Sequence, residues 1–334
     1  YLTCAEGGTE FGHCVTVARS KNITGPYEID PNNPMLTSNT TEDYPLQRAG
    51  HGQLVEAVDG KWYMAHLCSR PVVGCSILGR ETGIQNIIWT EDGWFRLEKG
   101  GNLPNLYFSG GATCHEDIDK KDPQGISVQG KIQHIEFNKK ELPWEFMTLR
   151  ESATHCGLDL QSRSGWLRIH GGNSLSSKYF QAFTARRQQA FLCDAMTKVE
   201  FNPRDYHHLA GLVCYYNYDN YYYLKITRDE KIGRCIHVTS MLTKEMGDSH
   251  CISLPEEGPV FLKAEMRRGE LKFYFSMNGK EYNKVDGCYD MHTLSDERVS
   301  GNGFTGAMIG ISCQDLQGNG VYADFNWFDY IEYE

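Results

Sequence analysis

No stretch of this sequence holds the three-to-four-residue apolar spacing of a long amphipathic helix. Short runs rich in Val, Ile, Tyr, Phe and Trp instead alternate with Gly, Asn, Asp and Pro along the whole chain. That pattern confines it to an all-β fold. Gly52–Leu67 reads as two strands joined at Asp59-Gly60, a strong hairpin signal, and Ile84–Leu97 repeats the design around Asp92-Gly93. Each hairpin carries a Trp just after its turn (Trp62, Trp94), so the pair reads as successive blades of a β-propeller. Two blades do not close a ring, which takes roughly four to eight.

Periodicity fades between Gly100 and Gly130, where Gly, Asp and Lys predominate. The chain therefore divides into propeller blades over 1–110, a linker over 111–130 and a second domain over 131–334. In that last part come long strand-like runs, among them "YFQAFTARRQQAFLCDAMTKVEF", "LAGLVCYYNYDNYYYLKITRD" and "PVFLKAEMRRGELKFYFSMNG". Runs of this kind separated by turns suit an antiparallel β-sandwich, jelly-roll or lectin-like. Tyr215, Tyr216, Tyr218 and Tyr221–Tyr223 have two readings: a platform on which a sugar ring stacks, or packing within the sheet.

Composition narrows the function. The 334 residues are enough for two domains with real cores. A net charge of −10 argues against nucleic acid as a partner and suits a neutral substrate such as a sugar. No window approaches 18 consecutive apolar residues, so no membrane partner is expected. The twelve cysteines are scattered, many in strand-like runs, with no C-x-x-C pair to support a zinc ribbon. They read as buried free thiols of a reducing, cytoplasmic compartment. The sequons at Asn22 and Asn39 keep secretion open as the alternative. The chain starts at Tyr1 inside a strand-like run, which reads as a processed product or a fragment.

Four places stand out chemically. In "TCAEGGTEFGHCVTVARS" the lone acid Glu6 is followed by Gly7-Gly8, which weaken a strand and mark a turn, a bulge or a close backbone approach. In "PLQRAGHGQLVE" His51 lies between two glycines at the mouth of a strand. "LGRETGIQ" sets Arg80 and Glu81 after a glycine and before a strand, and "GNGFTGAMIG" sets Phe304 among glycines. Taken singly, each has an ordinary explanation: a solvated turn acid, a turn histidine, a surface ion pair, a core phenylalanine.

Their order and spacing say more. Ala5–Thr9 (A-E-G-G-T), His13–Ser20 (H-x-x-T-x-A-R-S), Gly25–Glu28, Asn33–Ser38, Pro45–His51, Leu78–Gln85 and Phe304–Ala307 together closely resemble the β-xylosidase branch of glycoside hydrolase family 43. The likeness continues through Ser177–Gln188, Ala210–Asn217 and Tyr322–Phe328, so it spans nearly the whole chain. It implies a five-bladed catalytic propeller, present here only in its later blades, followed by a sandwich that completes the sugar pocket. It also implies inversion at the anomeric carbon, with one carboxylic acid protonating the departing oxygen and a second carboxylate activating water. Glu6 takes the role of general acid, and to act at neutral pH it must be kept partly protonated by burial or a neighbouring carboxylate. Arg80 is then expected to reach a sugar hydroxyl and His51 to contact substrate or an axial hydrated divalent cation. Phe304 is expected to form an apolar wall of the pocket. No cofactor is needed for the chemistry; a structural calcium ion is the one cation the resemblance brings in.

Two departures matter. The family's general base and a further tuning Asp both precede the A-E-G-G-T motif, and no aspartate here sits in a matching motif. The expectation is therefore the C-terminal part of a longer enzyme, inactive by itself. Where relatives begin the sandwich with a D-D-F-type strand, this chain reads Ile135-Glu136-Phe137, so no calcium site follows from Glu136 and Asp324. The expected activity is release of xylose from non-reducing ends of β-1,4-xylooligosaccharides, with α-L-arabinofuranosidase or dual activity as the alternative and arabinose-substituted chains as its substrates. A non-catalytic carbohydrate-binding protein is the alternative of another class. Self-association as a homo-oligomer stays open.

Overall fold

The computed structural model describes residues 1–108, 131–299 and 303–333. The linker expected over 111–130 lies outside the described residues. The chain forms two compact units, Tyr1–Gly125 and Ile126–Glu334.

The first unit holds two antiparallel four-stranded sheets. One is built from β1 (Leu2–Glu6), β2 (Cys14–Arg19), β3 (Glu28–Ile29) and β4 (Leu36–Thr37), with β3 and β4 both pairing with β2. The other runs in chain order through β5 (Gln47–Glu56), β6 (Trp62–Ser69), β7 (Glu81–Trp89) and β8 (Phe95–Leu97). The two Asp-Gly hairpins thus form one blade, not two successive ones. The Asp59-Gly60 turn joins β5 to β6, the Asp92-Gly93 turn joins β7 to β8, and β6 pairs directly with β7 from Trp62↔Ile87 to Cys68↔Glu81. The misreading has a simple cause: a four-stranded meander is two hairpins in a row, and turn chemistry reports each hairpin without saying whether they pair.

A shared core welds the two sheets. Val15, Val17 and Leu36 of the first pack with Met64, Ile87, Phe95 and Leu97 of the second, and Trp94 and Trp62 after the two turns join the same cluster. Phe95 is fully buried, and truncating such a phenylalanine to alanine costs about 3–5 kcal/mol. The buried carboxylate of Asp30, just after β3, accepts two hydrogen bonds from Arg96 of β8 at 2.6 and 2.9 Å.

The second unit is a sandwich of two eight-stranded antiparallel sheets. One runs Met147–Thr148, Phe183–Arg187, Met308–Asp315, His208–Asn217, Asn220–Asp229, Gly233–Leu242 and Glu245–Asp248, with Ile252–Ser253 also on Gly233–Leu242. The other runs Leu158–Asp159, Leu167–His170, Tyr322–Glu332, Leu192–Glu200, Val260–Arg267, Glu270–Ser276 and Asn283–Asp290, with Lys131–Glu136 also on Tyr322–Glu332. The run beginning at Tyr179 is therefore two strands in different sheets, the chain crossing over between Arg187 and Leu192. The two runs that follow are hairpins turning at Tyr218-Asp219 and Arg268-Gly269.

The two sheets bury differently. Val260–Arg267 alternates buried and part-exposed residues, as a strand with one wet face should. His208–Asn217 and Asn220–Asp229 are buried on both faces along most of their length. Tyr215, Tyr221 and Tyr223 pack on one face with Leu175, Phe183 and Val213. Tyr222, on the other face, donates its hydroxyl to the Asp290 carbonyl at 3.0 Å, and the Tyr216 hydroxyl donates to Asp296 at 2.6 Å. These tyrosines are packing residues, and their buried rings offer no stacking platform to a sugar.

Buried histidines tie this fold to pH. His237, on Gly233–Leu242, is 7 % exposed; burial first, then the Lys225 ammonium beside it, pushes its pKa down to about 4, against the pull of Asp248 and Asp229. Between pH 6.5 and 4 the unfolded chain therefore binds a proton that the folded chain refuses, so stability falls as pH falls through that window. Urea unfolding of His237→Gln across pH 4–7 should show a flatter profile than wild type, by up to about 1.4 kcal/mol per pH unit. An unchanged slope would remove His237 from the account.

Candidate active site

Glu6 is the last residue of β1, paired with Cys14, and the chain reverses between them over residues 7–13. Gly7 and Gly8 both take left-handed backbone, with φ of 75° and 68°. A Cβ built on Gly7 would lie 1.8 Å from the Gly12 carbonyl oxygen, whereas one on Gly8 would meet nothing within 4 Å. So the first glycine is demanded by a close approach of backbone to backbone, and the second by its φ alone. The Glu6 carboxylate stands exposed at the lip of this turn. The burial or neighbouring carboxylate expected for it is not supplied by the described residues.

Beneath Glu6 sits His13, 3 % exposed. Its Nδ1 lies 3.2 Å from the Glu6 carbonyl oxygen. A carbonyl only accepts, so Nδ1 carries the hydrogen and, in the neutral ring, Nε2 keeps a lone pair; Nε2 is buried without a partner. Burial first, then the nearby charges of His51 and Arg80, holds the His13 pKa below its ordinary value, outweighing the Glu6 and Gly8 carbonyls. The ring is neutral at pH 7. Gly50 makes room for it: a Cβ there would fall 2.2 Å from His13 Cδ2. The glycine of A-G-H is a seat for an imidazole from the neighbouring sheet.

His51 itself is exposed, with a left-handed φ of 53°. Strand β5 slips register twice around it, between Gln47 and Gly50 and again between Gly50 and Gln53. Such irregularities re-aim a side chain, and a non-glycine residue held there costs about 1–3 kcal/mol. Arg80, just before β7, reaches back to the same turn, Nη2 donating to the Thr9 carbonyl at 2.6 Å. Glu81 next to it faces elsewhere, clasped by Arg70 at 2.7 and 2.9 Å. The structure thus gathers Glu6, His51 and Arg80 around His13 and the 7–12 turn. Phe304 belongs to the other unit, where it is 45 % exposed ahead of the Met308–Asp315 strand.

Sequence reasoning passed over the residues that hold this group in place. His13 was visible as the first letter of H-x-x-T-x-A-R-S. Arg48, left-handed at φ 56° and buried, donates Nη1 to Ser76 Oγ at 2.8 Å, reaches Glu10 at 3.5 Å and lies 5.0 Å over the Phe11 ring. It binds the turn after Glu6 to the loop before Arg80. The signal was the basic residue in P-L-Q-R-A-G-H.

The expected cation site finds no donor set. Among the described residues no group of three His, Cys, Asp or Glu side chains converges to hold a metal ion, so His51 has no companions for that role and no step is routed through a cation. Asp324 is engaged by Arg168 at 2.8 and 2.9 Å and Arg163 at 3.0 Å.

Residues 1–95 match the family model described as glycosyl hydrolases family 43, and residues 134–331 match the β-xylosidase C-terminal concanavalin A-like domain. The chain belongs to glycosyl hydrolase family 43, its larger unit being the sandwich domain of that family's β-xylosidases. It is 37 % identical to a β-xylosidase of Bacillus subtilis, over 99 % of this chain and 63 % of that protein. A xylosidase/arabinosidase of Humicola insolens is 34 % identical, over 99 % of this chain and 61 % of that protein. The crystal structure of a xylan β-1,4-xylosidase from Bacillus halodurans superposes with a TM-score of 0.89 at 40 % identity, over 98 % of this chain and 62 % of that one. The chain therefore spans a little over three-fifths of the length of the relatives it matches.

The geometry of the turn separates its two glycines by experiment. Gly7→Ala should destabilise the chain by about 2–3 kcal/mol through strain and the clash with Gly12. Gly8→Ala should lose only about 1–2 kcal/mol, the left-handed penalty alone. Chemical denaturation of both variants checks the order; equal losses would deny the close approach at Gly7.

Proposed function

We propose that this chain is the acid-bearing part of an inverting glycosidase that releases xylose from the non-reducing ends of β-1,4-xylooligosaccharides. The observation that carries the reading is the convergence of Glu6, His51 and Arg80 on one turn, in motifs that continue through a chain related to β-xylosidases along its length. Glu6 Oε delivers its proton to the departing glycosidic oxygen. Water attacks the anomeric carbon from the opposite ring face, activated by a carboxylate roughly 6.5–9.5 Å away. That base is proposed to lie in the part of the relatives this chain does not span, and the same part is proposed to desolvate Glu6. Neutral His13 fixes the Glu6 backbone through its carbonyl. Arg80 orients a sugar hydroxyl. A structural divalent cation bound through His51 is proposed only together with donors beyond the described residues.

A second reading, α-L-arabinofuranosidase or dual action, is favoured by the relative named for both activities. Cytoplasmic residence is proposed from the eleven cysteines present as free thiols among the described residues, eight of them buried.

The test compares three proteins on xylobiose and on an aryl arabinofuranoside: this chain, a form extended upstream by the remaining length of its relatives, and the extended form with Glu6→Gln. Activity is expected only in the extended wild type, with Glu6→Gln losing about 10²–10⁴-fold and an aryl xyloside with a good leaving group recovering part of that loss. Turnover by the unextended chain that Glu6→Gln leaves untouched would overturn the assignment. Release of arabinose but not xylose would select the second reading.

A further inference from the structure

The second unit carries an open cleft of about 1060 Å³, lined where the Leu192–Glu200 and Asn220–Asp229 strands, the 256–259 loop and the start of Tyr322–Glu332 come together. None of Glu6, His51, Arg80 or Phe304 lines it. Its volume is at or above the upper end of the roughly 300–1,000 Å³ of ordinary small-molecule sites, room for several sugar rings.

The cleft is built, not incidental. On one side Asp324, 5 % exposed, holds Arg168 and Arg163, and Arg163 also donates to Glu200 at 2.8 Å. Burial opposes ionisation of Asp324, but the hydrogen bonds and charges of Arg168 and Arg163 outweigh it and keep its carboxyl below the usual range. On the other side the fully buried Arg234 pins the loop, donating to the Pro255 and Gly258 carbonyls at 2.8 and 3.0 Å. Arg228 and Glu256 pair there at 2.7 Å.

Charge decides the ligand class. Four arginines line the cleft, with four carboxylates among them: Glu200, Glu256, Glu257 and Asp324. Three of the four arginines are already in ion pairs, so an anion entering beside four carboxylates would have only the exposed Arg204 to meet without displacing a protein carboxylate. What stays on offer is a set of planar donors and acceptors of the kind that match hydroxyl groups, together with the exposed guanidinium of Arg204. Tyr322, 44 % exposed with Arg168 stacked 3.8 Å from its ring centre, adds an aromatic surface for a sugar face. We propose that this cleft is a non-catalytic binding site for an internal segment of a neutral β-1,4-xylan chain; the choice of xylan rests on the function proposed above. An open cleft accepts a polymer passing through, where a site for non-reducing ends accepts only a terminus.

The experiment titrates xylotetraose, with cellotetraose as control, into the 334-residue chain by calorimetry. One sample carries Glu6→Gln and Arg80→Ala, which disable the proposed chain-end site; a second adds Arg204→Ala and Tyr322→Ala. The first sample should bind xylotetraose as the unaltered chain does, with an affinity that does not change between about 50 and 500 mM salt. The second should bind at least about tenfold more weakly; the single Arg204→Ala variant, an exposed truncation, repeats the reading if the double one unfolds. Binding abolished by Arg80→Ala, or indifferent to Arg204 and Tyr322, or absent at millimolar xylotetraose, overturns the proposal. Salt-sensitive binding of a glucuronate-bearing xylooligosaccharide alone overturns the neutral ligand class, and binding of cellotetraose alone overturns xylan. Hydrolysis by the extended enzyme is read separately, so an active enzyme with an empty cleft sinks this inference and leaves the function standing.

Discussion

One buried imidazole links the two sheets of the first unit at the turn that follows Glu6. His13 is inserted between the carbonyl of Glu6 on its own sheet and the vacant side-chain position of Gly50 on the next. Its burial keeps it uncharged, and an uncharged ring can lie against backbone without a counter-ion. Around it, Arg80 ties the turn after Glu6 from one direction and Arg48 from another. The backbone that carries Glu6 is thus held on three sides, by His13, Arg80 and Arg48.

How far the residues announced all this differs between levels. The all-β class was plain, because alternating runs punctuated by Asp-Gly and Asn-Gly have few other uses. Strand pairing was less so. Asp59-Gly60 and Asp92-Gly93 name two hairpins, but whether Trp62 faces Ile87 or solvent depends on the long connection from Ser69 to Glu81, whose Pro71, Gly74 and Gly79 mark local turns without saying that the flanking strands pair. The crossover between Arg187 and Leu192 was likewise hidden, since Gln188, Gln189, Ala190 and Phe191 do not break a strand by propensity. The tyrosines around Tyr218 show composition failing to separate two uses: a ring buried against Phe183 and a ring waiting for a sugar are the same residue.

At the candidate site, the residues expected to act were more legible than those that support them. Glu6, His51 and Arg80 each have an ordinary explanation taken singly, and could be named only because their motifs recur in the order that resembles the family. The partners of the glycines beside them could not, for Gly50 meets His13 and Gly7 meets Gly12 only once the chain has folded. Burial of Glu6 was expected from the chemistry and is not provided by the described residues, where Glu6 is exposed.

The unequal burial of the two sandwich sheets has a consequence for how such a chain can diverge. In Val260–Arg267 every second position meets solvent, so half of the strand can accept almost any residue that tolerates extended backbone. His208–Asn217 is buried at every position before Asn217, so along it a side chain enters packed interior whichever way it points. Drift along the first strand proceeds one residue at a time, whereas change along the second has to be concerted with Phe183, Leu175 or a partner on the opposite face. The molecule thus carries a slow clock and a fast one a few strands apart.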